Sequence, residues 1–132
     1  QHMRCLYDCA KVLDMDICVS NDYLVKRIYD TCDANNMHDG VHVRLMVTRG
    51  IKATPYQDPR VTISAATIVI IAEHKKALAL AKGDGVRLFT SHVRRGYPDV
   101  QDPKLNTHSK LHCIFACIQS AKAQVDLPLI NF

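Results

Sequence analysis

The amino-acid sequence predicts a protein of the α+β class. Two helical patterns open the chain, the hydrophobic period then changes from helix to strand, and a further helical pattern lies between two strand patterns. The predicted order is therefore helix, helix, strand, strand, strand, helix, strand. This order favours an α+β or mixed α/β fold over a helix bundle or a β-sandwich.

The two N-terminal helices are predicted from apolar residues at helical spacing. The first lies within residues 3–13 and carries on one side Met3, Leu6, Tyr7, Ala10 and Leu13. Ser20 is a suitable N-cap for the second helix, which runs to about Asn35. Gly40 then supplies the positive φ of a turn. The apolar face of the second helix comprises Leu24, Ile28 and Cys32.

Strand patterns follow. Residues 41–48 alternate apolar and polar side chains and predict a half-buried strand. Residues 66–72 read "ATIVIIA", an unbroken run that predicts a central strand covered on both faces. A turn at residues 82–85 leads into a third strand that ends near Arg95, and residues 127–132 form the last strand pattern.

The last helix is predicted to start at Asp102-Pro103 or at Thr107 and to continue to about Gln124. Its apolar stripe consists of Leu111, Ile114, Phe115 and Ile118. On the adjacent face the spacing places Asn106, Lys110, Cys113 and Cys117. If a lysine beside an apolar stripe is partly desolvated, its pKa falls and its amine becomes a nucleophile. Most lysines in this setting instead extend their ammonium group to water.

Composition limits the classes of partner. The chain has 132 residues, 48% of them apolar, and its net charge of +4 is scattered. Nucleic-acid surfaces need clustered charge with aromatic platforms, and only 6% of residues are aromatic. We therefore expect no nucleic-acid partner, and a small RNA-binding domain is the weakest alternative. No apolar run reaches the roughly 20 residues that span a bilayer, so no membrane partner is expected.

The six cysteines do not form a recognisable metal motif. Cys5 and Cys9 are four residues apart, as are Cys113 and Cys117, and we interpret them as small apolar side chains in a reducing cytoplasm. The pair His108 and His112 has the spacing of two metal ligands on one helix face. No third ligand is evident, so no metal site is predicted.

Arginines provide the candidate anion-binding groups. Arg44 lies on the polar face of its strand together with Thr48, where it would bind an anion if a second lobe covers that face. Arg94 and Arg95 lie in the loop before the last helix, and the planar guanidinium suits a carboxylate or a phosphate. For Arg44 a solvent-facing position on the strand is the commoner case, and for Arg94 and Arg95 a solvated loop is an equally compatible interpretation.

Several stretches together resemble the fold-type IV pyridoxal-phosphate enzymes, which include branched-chain and D-amino-acid aminotransferases and aminodeoxychorismate lyase. The N-terminal "QHMRCLYDCAKVL" is similar to the family's H-x-x-R-L-x-x-S-A helix. Thr48-Arg49-Gly50 matches the family's T-R-G strand end, within "VHVRLMVTRG". Asp102-Pro103, with the helix after it, resembles the stretch around the family's catalytic lysine. The resemblance covers nearly the whole chain.

The resemblance implies a two-lobed fold. Residues 1–91 would form the small α+β lobe, residues 92–102 the interlobe loop, and residues 103–132 the start of the large lobe. It further implies that strands before Gln1 and most of the large lobe are missing from this chain. The cofactor pyridoxal phosphate would lie between the lobes, and the partners would be an amino acid, a 2-oxo acid and a second copy in a cytoplasmic homodimer.

Two positions depart from the family's pattern. The lysine of D-P-x-x-K-[ST] is replaced by Asn106, which cannot form a Schiff base, and Lys110 one turn later is the substitute that we predict. The family's phosphate-binding arginine is replaced by Cys5. Arg4 beside it is a poor substitute, because neighbouring residues on a helix point about 100° apart.

Two hypotheses follow from the resemblance. In the first, the chain is an aminotransferase with Lys110 as the catalytic amine, Asn106 and Arg44 at the cofactor, and Arg94 and Arg95 at the substrate carboxylate. In the second, it is a non-catalytic remnant that acts as a binding or oligomerisation module.

Overall fold

The computed structural model describes residues 1–75 and 85–131, with the side chain of Asn131 left aside. The chain divides into two compact units, Gln1–Ala77 and Leu78–Phe132. The lobe boundary predicted at residue 91 falls inside a strand of the second unit. How the units correspond to the implied lobes stays a prediction. The turn expected at residues 82–84 and the end of the last strand at Phe132 lie outside the described residues.

The first unit contains helix α1 (His2–Val12), helix α2 (Asn21–Ala34), strand β1 (Val41–Thr48), a short 3₁₀ turn (Pro59–Val61) and strand β2 (Thr67–His74). Both predicted helices and both predicted strands are therefore present. Ser20 is the N-cap of α2, and its Oγ accepts a hydrogen bond from the backbone N–H of Tyr23 at 3.2 Å. Helix α2 begins there because the cap satisfies one of the N–H groups that the first turn leaves without a helical partner.

The core of the first unit forms where α1 and its connector meet α2. Ala10, Ile17 and Leu24 are buried, and Leu24 is only 1% exposed. The hydroxyl of Tyr7 donates a hydrogen bond to the carbonyl of Val19 at 2.7 Å, which ties the connector to α1. The partly buried side chains packed around this core are Met3, Leu6, Tyr7, Met15, Val19, Val47 and Ile68.

Strands β1 and β2 form an antiparallel pair, in which Val41 lies opposite His74 and Thr48 lies opposite Thr67. The prediction that the second strand is covered on both faces is wrong for these residues. Burial alternates along β2, and Val69 and Ile71 are 38% and 44% exposed. The physical reason is that the described sheet has two strands, with only one face packed on the core.

The second unit contains strand β3 (Leu88–Arg94), a short helix α3 (Pro98–Gln101), helix α4 (Leu111–Lys122) and strand β4 (Leu127–Asn131). Strands β3 and β4 are parallel, and α4 packs against both of them. This arrangement is a β-α-β unit, which parallel neighbours require because a tight turn cannot join them. No helix in the described part of the chain is long and apolar enough to cross a bilayer.

Helix α4 differs from its prediction in two respects. It begins at Leu111, later than Asp102-Pro103 or Thr107. The carboxylate of Asp102 accepts a hydrogen bond from the backbone N–H of Lys104 at 2.9 Å, as a helix N-cap does, but the turn that it caps does not continue into a helix. The predicted apolar stripe is also not the buried face, because Ala116 and Ser120 are buried instead. Their small side chains let the helix backbone approach the strands closely.

Candidate functional site

Lys110 and Asn106 do not share a helix face, which corrects the prediction from spacing. Asn106 is exposed in the loop between α3 and α4, and Lys110 is the exposed N-cap of α4 with φ −118° and ψ 22°. The one-turn relation between them requires a helix through both residues, and the helix begins only after Lys110. The desolvation that would activate the Lys110 amine is also lacking, since its side chain is exposed.

The three arginines occupy different settings. Arg44 is exposed on β1 opposite Ile71, in the first unit. Arg94 is exposed at the end of β3 and Arg95 is half-buried directly after it, both in the second unit. Arg44 lies on the face opposite the apolar side of β1, as the alternation of the sequence predicts. Roles for these arginines in binding a cofactor or a substrate stay predictions.

The predicted histidine pair is not on one helix face either. His108 lies in the loop, while His112 lies in the first turn of α4. Across the described ranges, no group of three His, Cys, Asp or Glu side chains is close enough to hold a metal ion. Within those ranges, the structure therefore supplies no additional ligand for either histidine.

The Thr48-Arg49-Gly50 strand end has a structural role that spacing alone does not reveal. The guanidinium of Arg49 donates hydrogen bonds to the carbonyls of Leu13 and Asp14, just after α1. It thereby satisfies carbonyls that the end of the helix leaves without partners. Gly50 has φ +94° and closely approaches the chain at Ala65. In the sequence, the feature that marks this contact between β1 and the end of α1 is an arginine directly before a glycine at the end of a strand.

A network of polar side chains connects β3 to α4 in the second unit. Ser91 is 3% exposed, and its hydroxyl donates a hydrogen bond to Oε1 of Gln119 at 2.7 Å. Nε2 of Gln119 lies 2.8 Å from Nε2 of His92. The prediction from sequence missed this network, because its members are far apart in the chain. It satisfies a buried hydroxyl and holds the helix on the strand.

Comparison with known proteins decides the family. The sequence matches the amino-transferase class IV family over residues 1–131. The chain belongs to this family. The resemblance inferred from the first helix, the strand end and the last helix is therefore confirmed, and so is the α+β class.

Three relatives illustrate the match. Branched-chain-amino-acid aminotransferase-like proteins 2 and 1 of Arabidopsis thaliana are each 32% identical, over 96% and 91% of this chain. A putative branched-chain-amino-acid aminotransferase of Methanocaldococcus jannaschii is 35% identical over 96% of the chain. The matched region is 22%, 21% and 42% of the respective relative. The chain thus spans less than half the length of these relatives.

Class IV aminotransferases generally use pyridoxal phosphate, so the described residues can be tested against that group. The register of the resemblance predicts Asn106 at the position of the cofactor-bonding lysine. Its amide nitrogen is not a nucleophile, and Lys110 lies in a different place, at the end of the loop before α4. The same register predicts Cys5 at the position of the phosphate-binding arginine. Arg4 is exposed and faces Asp8, with its Nε 3.7 Å from Oδ2 of that residue. These residues do not fit the cofactor.

The charged side chains that line the groove beside α1 are mainly negative. An open groove of about 470 Å³ runs beside the helix, and its apolar part includes Ala10 and Ile17. Its charged lining consists of Asp8, Lys11, Asp14 and Asp16, three carboxylates against one ammonium. This lining carries an excess of negative charge, and solvent in the open groove screens it.

Proposed function

We propose that this chain is a non-catalytic member of the class IV aminotransferase family, which acts as a binding or oligomerisation module. The observation that carries the proposal is the amide of Asn106 at the position of the family's lysine. The position of Lys110 also supports the proposal. Lys110 is exposed and precedes α4, so no helical turn places its amine next to Asn106. The thiol of Cys5 in place of a phosphate-binding arginine supports it independently.

A labelling experiment tests this proposal. The protein is incubated with pyridoxal phosphate and reduced with borohydride, and the modified lysines are then identified by peptide mapping. We expect no stoichiometric adduct at Lys110, and labelling no stronger than at Lys104, an exposed lysine of the same loop. A one-to-one adduct at Lys110 that persists in Lys104→Ala and disappears in Lys110→Ala would overturn the proposal.

A gain-of-function variant sharpens the same test. Restoring both family positions in Asn106→Lys/Cys5→Arg is expected to increase labelling at residue 106 above that of any native lysine. The matched control is Ser109→Lys/Cys5→Arg, which adds the same charge to the same exposed loop away from the family's position. Equal labelling of both variants would show that position 106 has no special relation to the cofactor.

Amino transfer between an amino acid and a 2-oxo acid with pyridoxal phosphate is the second candidate function. The match over residues 1–131 favours it, as do relatives named branched-chain-amino-acid aminotransferases. It would require Lys110 as the catalytic amine, with Asn106 and Arg44 at the cofactor and Arg94 and Arg95 at the substrate carboxylate. Transaminase activity that is lost in Lys110→Ala and retained in Lys104→Ala would favour this candidate.

A homodimer is the assembly that accords with both candidates. Its support in this chain is the exposed apolar stripe of α4, whose members are 44–59% exposed: Leu111, Ile114, Phe115 and Ile118. Contiguous apolar surface of this kind is typical of protein–protein contacts. A second copy that covers the stripe would remove it from water.

A further inference from the structure

We propose that Cys5 and Cys9 form a dithiol site for a soft, two-coordinate cation of the Cu(I) class. The site is on α1 and includes Cys5, which the resemblance places at the family's phosphate-binding arginine, but the binding of an ion there does not depend on the proposed function. Cys5 and Cys9 are four residues apart, so one helical turn places both on the same face. Their Sγ atoms lie 4.0 Å apart.

The separation of the two sulfurs suits a bridging ion better than a disulfide. A disulfide requires an S–S distance of about 2.05 Å, roughly half the observed separation. Two metal–sulfur bonds of about 2.3 Å span roughly 4.6 Å when they are collinear. The thiols therefore need to separate by only about half an ångström to hold an ion, whereas forming a disulfide would require about 2 Å of closure within a helix.

Accessibility and ligand type select the class of ion. Cys5 is exposed and Cys9 is half-buried, so an ion can reach both sulfurs from solvent. Thiolates are soft ligands and select Cu(I) over hard cations. The described residues place no third His, Cys, Asp or Glu ligand beside them, which favours an ion that accepts two ligands over tetrahedral zinc.

Binding at this site releases protons. Cu(I) with two thiols gives a bis-thiolate complex of charge −1 and two free protons, and the oxidation state of copper does not change. Because binding releases protons, we expect the affinity for Cu(I) to increase as pH rises.

Competition against a chromophoric Cu(I) chelator, under anaerobic conditions with ascorbate, measures the binding. We expect the wild-type chain to withdraw one equivalent of Cu(I) at this site, and Cys5→Ser or Cys9→Ser to weaken that binding at least about ten-fold, the low end of the loss that even outer-shell changes cause. The matched control is Cys113→Ser/Cys117→Ser, which removes two thiols at the same spacing on α4 and should leave the site intact.

Two outcomes would overturn the assignment. Either the Cys5→Ser/Cys9→Ser protein still binds the same amount of Cu(I) with the same affinity, or the α4 control loses the equivalent. Circular dichroism of each variant separates loss of a ligand from loss of the fold. Since no step involves pyridoxal phosphate, a failure here leaves the labelling experiment on Lys110 unaffected.

Discussion

Gly50 follows Arg49 at the end of β1 in a conformation that side chains rarely adopt. Its φ is +94°, and a Cβ at this position would overlap the carbonyl oxygen of Ala65, well inside the 3.0 Å that real Cβ atoms keep from other atoms. The chain must therefore shift to accept a side chain here. The glycine allows the strand to end against residues 64–65, where Ser64 Oγ accepts a hydrogen bond from the N–H of Ile51 at 2.7 Å.

Gly50→Ala is expected to destabilise the chain by about 2–4 kcal/mol, because backbone strain and the clash with Ala65 add together. Urea unfolding followed by circular dichroism measures the change. Gly40→Ala is the control, since Gly40 also has a positive φ of +58° but a Cβ there would meet no atom within 4 Å. An equal loss of stability in the two variants would refute the steric argument, because the positive φ that both positions share would then account for the whole effect.

Asp126 provides a pH-dependent contribution in the second unit. Its carboxylate accepts a hydrogen bond from the backbone N–H of Arg87 at 2.8 Å, and the Arg87 guanidinium lies 3.6 Å away. The backbone hydrogen bond is the main cause that lowers the pKa of Asp126 below its ordinary value. A lowered folded-state pKa means that the carboxylate stabilises the fold above the unfolded value of about 3.9.

As pH falls below about 4 and through the lowered pKa of Asp126, this stabilisation is expected to disappear. Asp126→Asn removes the titrating carboxylate. The variant should therefore be less stable than the wild type at pH 7, and the difference in stability should shrink in acid. Thermal unfolding between pH 7 and pH 2 measures both curves. Parallel curves over the whole range would contradict the role assigned to Asp126.

Single elements show how local chemistry determines where a helix begins. Helix α2 has a hydroxyl cap at Ser20, whereas α4 begins at Leu111 and its N-cap residue Lys110 makes no side-chain cap hydrogen bond. The carboxylate of Asp102, which could have started an earlier helix, forms a local turn with Lys104 instead. A suitable cap therefore does not by itself start a long helix, and the late start of α4 leaves Asn106 in a loop and Lys110 at its end.

Ser20→Ala is expected to cost about 1 kcal/mol of stability, because the N–H of Tyr23 loses its acceptor. Urea unfolding of the variant measures this loss, and Ser20→Asp should restore most of it since a carboxylate also caps a helix. Ser109→Ala, in the exposed loop before α4, is the control and should stay within about 0.5 kcal/mol of the wild type. A Ser20→Ala variant with the stability of the wild type would show that the cap does not stabilise α2.

At the scale of the whole molecule, the exposed stripe of α4 leads to the prediction of a homodimer. Sedimentation velocity should show a species of twice the 14.8 kDa chain mass. Phe115→Glu places a charge in the middle of the stripe and should shift the protein to the monomer, because burying an unpaired charge is unfavourable. Val100→Glu is the control, since Val100 is 76% exposed and lies outside the stripe. A wild-type chain that sediments as a monomer would contradict the prediction.

Family membership also belongs to this scale, and it does not by itself establish catalysis. A fold can persist while the groups that perform its chemistry change, so activity must be argued from the site. The resemblance predicts Asn106 and Cys5 at two positions on which the family's cofactor depends. The Sγ atoms of Cys5 and Cys9, both on α1, lie 4.0 Å apart.

The sequence alone determined the type and order of most elements. Helical spacing identified α1 and α2, alternation identified β1, and Ser20 was predicted as a cap, because each of these signals is local in the chain. It also determined the family, since the first helix, the Thr48-Arg49-Gly50 strand end and the Asp102-Pro103 stretch agree in order and spacing. The placement of Asn106 at the lysine position rests on the sequence resemblance and stays a prediction.

Only the tertiary structure decided which faces are buried and which side chains meet. Ala116 and Ser120 became the buried face of α4 because small residues let a helix lie close to parallel strands, while hydrophobicity alone favoured Phe115 and its neighbours. The bonds from Arg49 to the end of α1 and from Ser91 to Gln119 join residues distant in the chain. Contacts of this kind depend on how elements pack, which local periodicity does not encode.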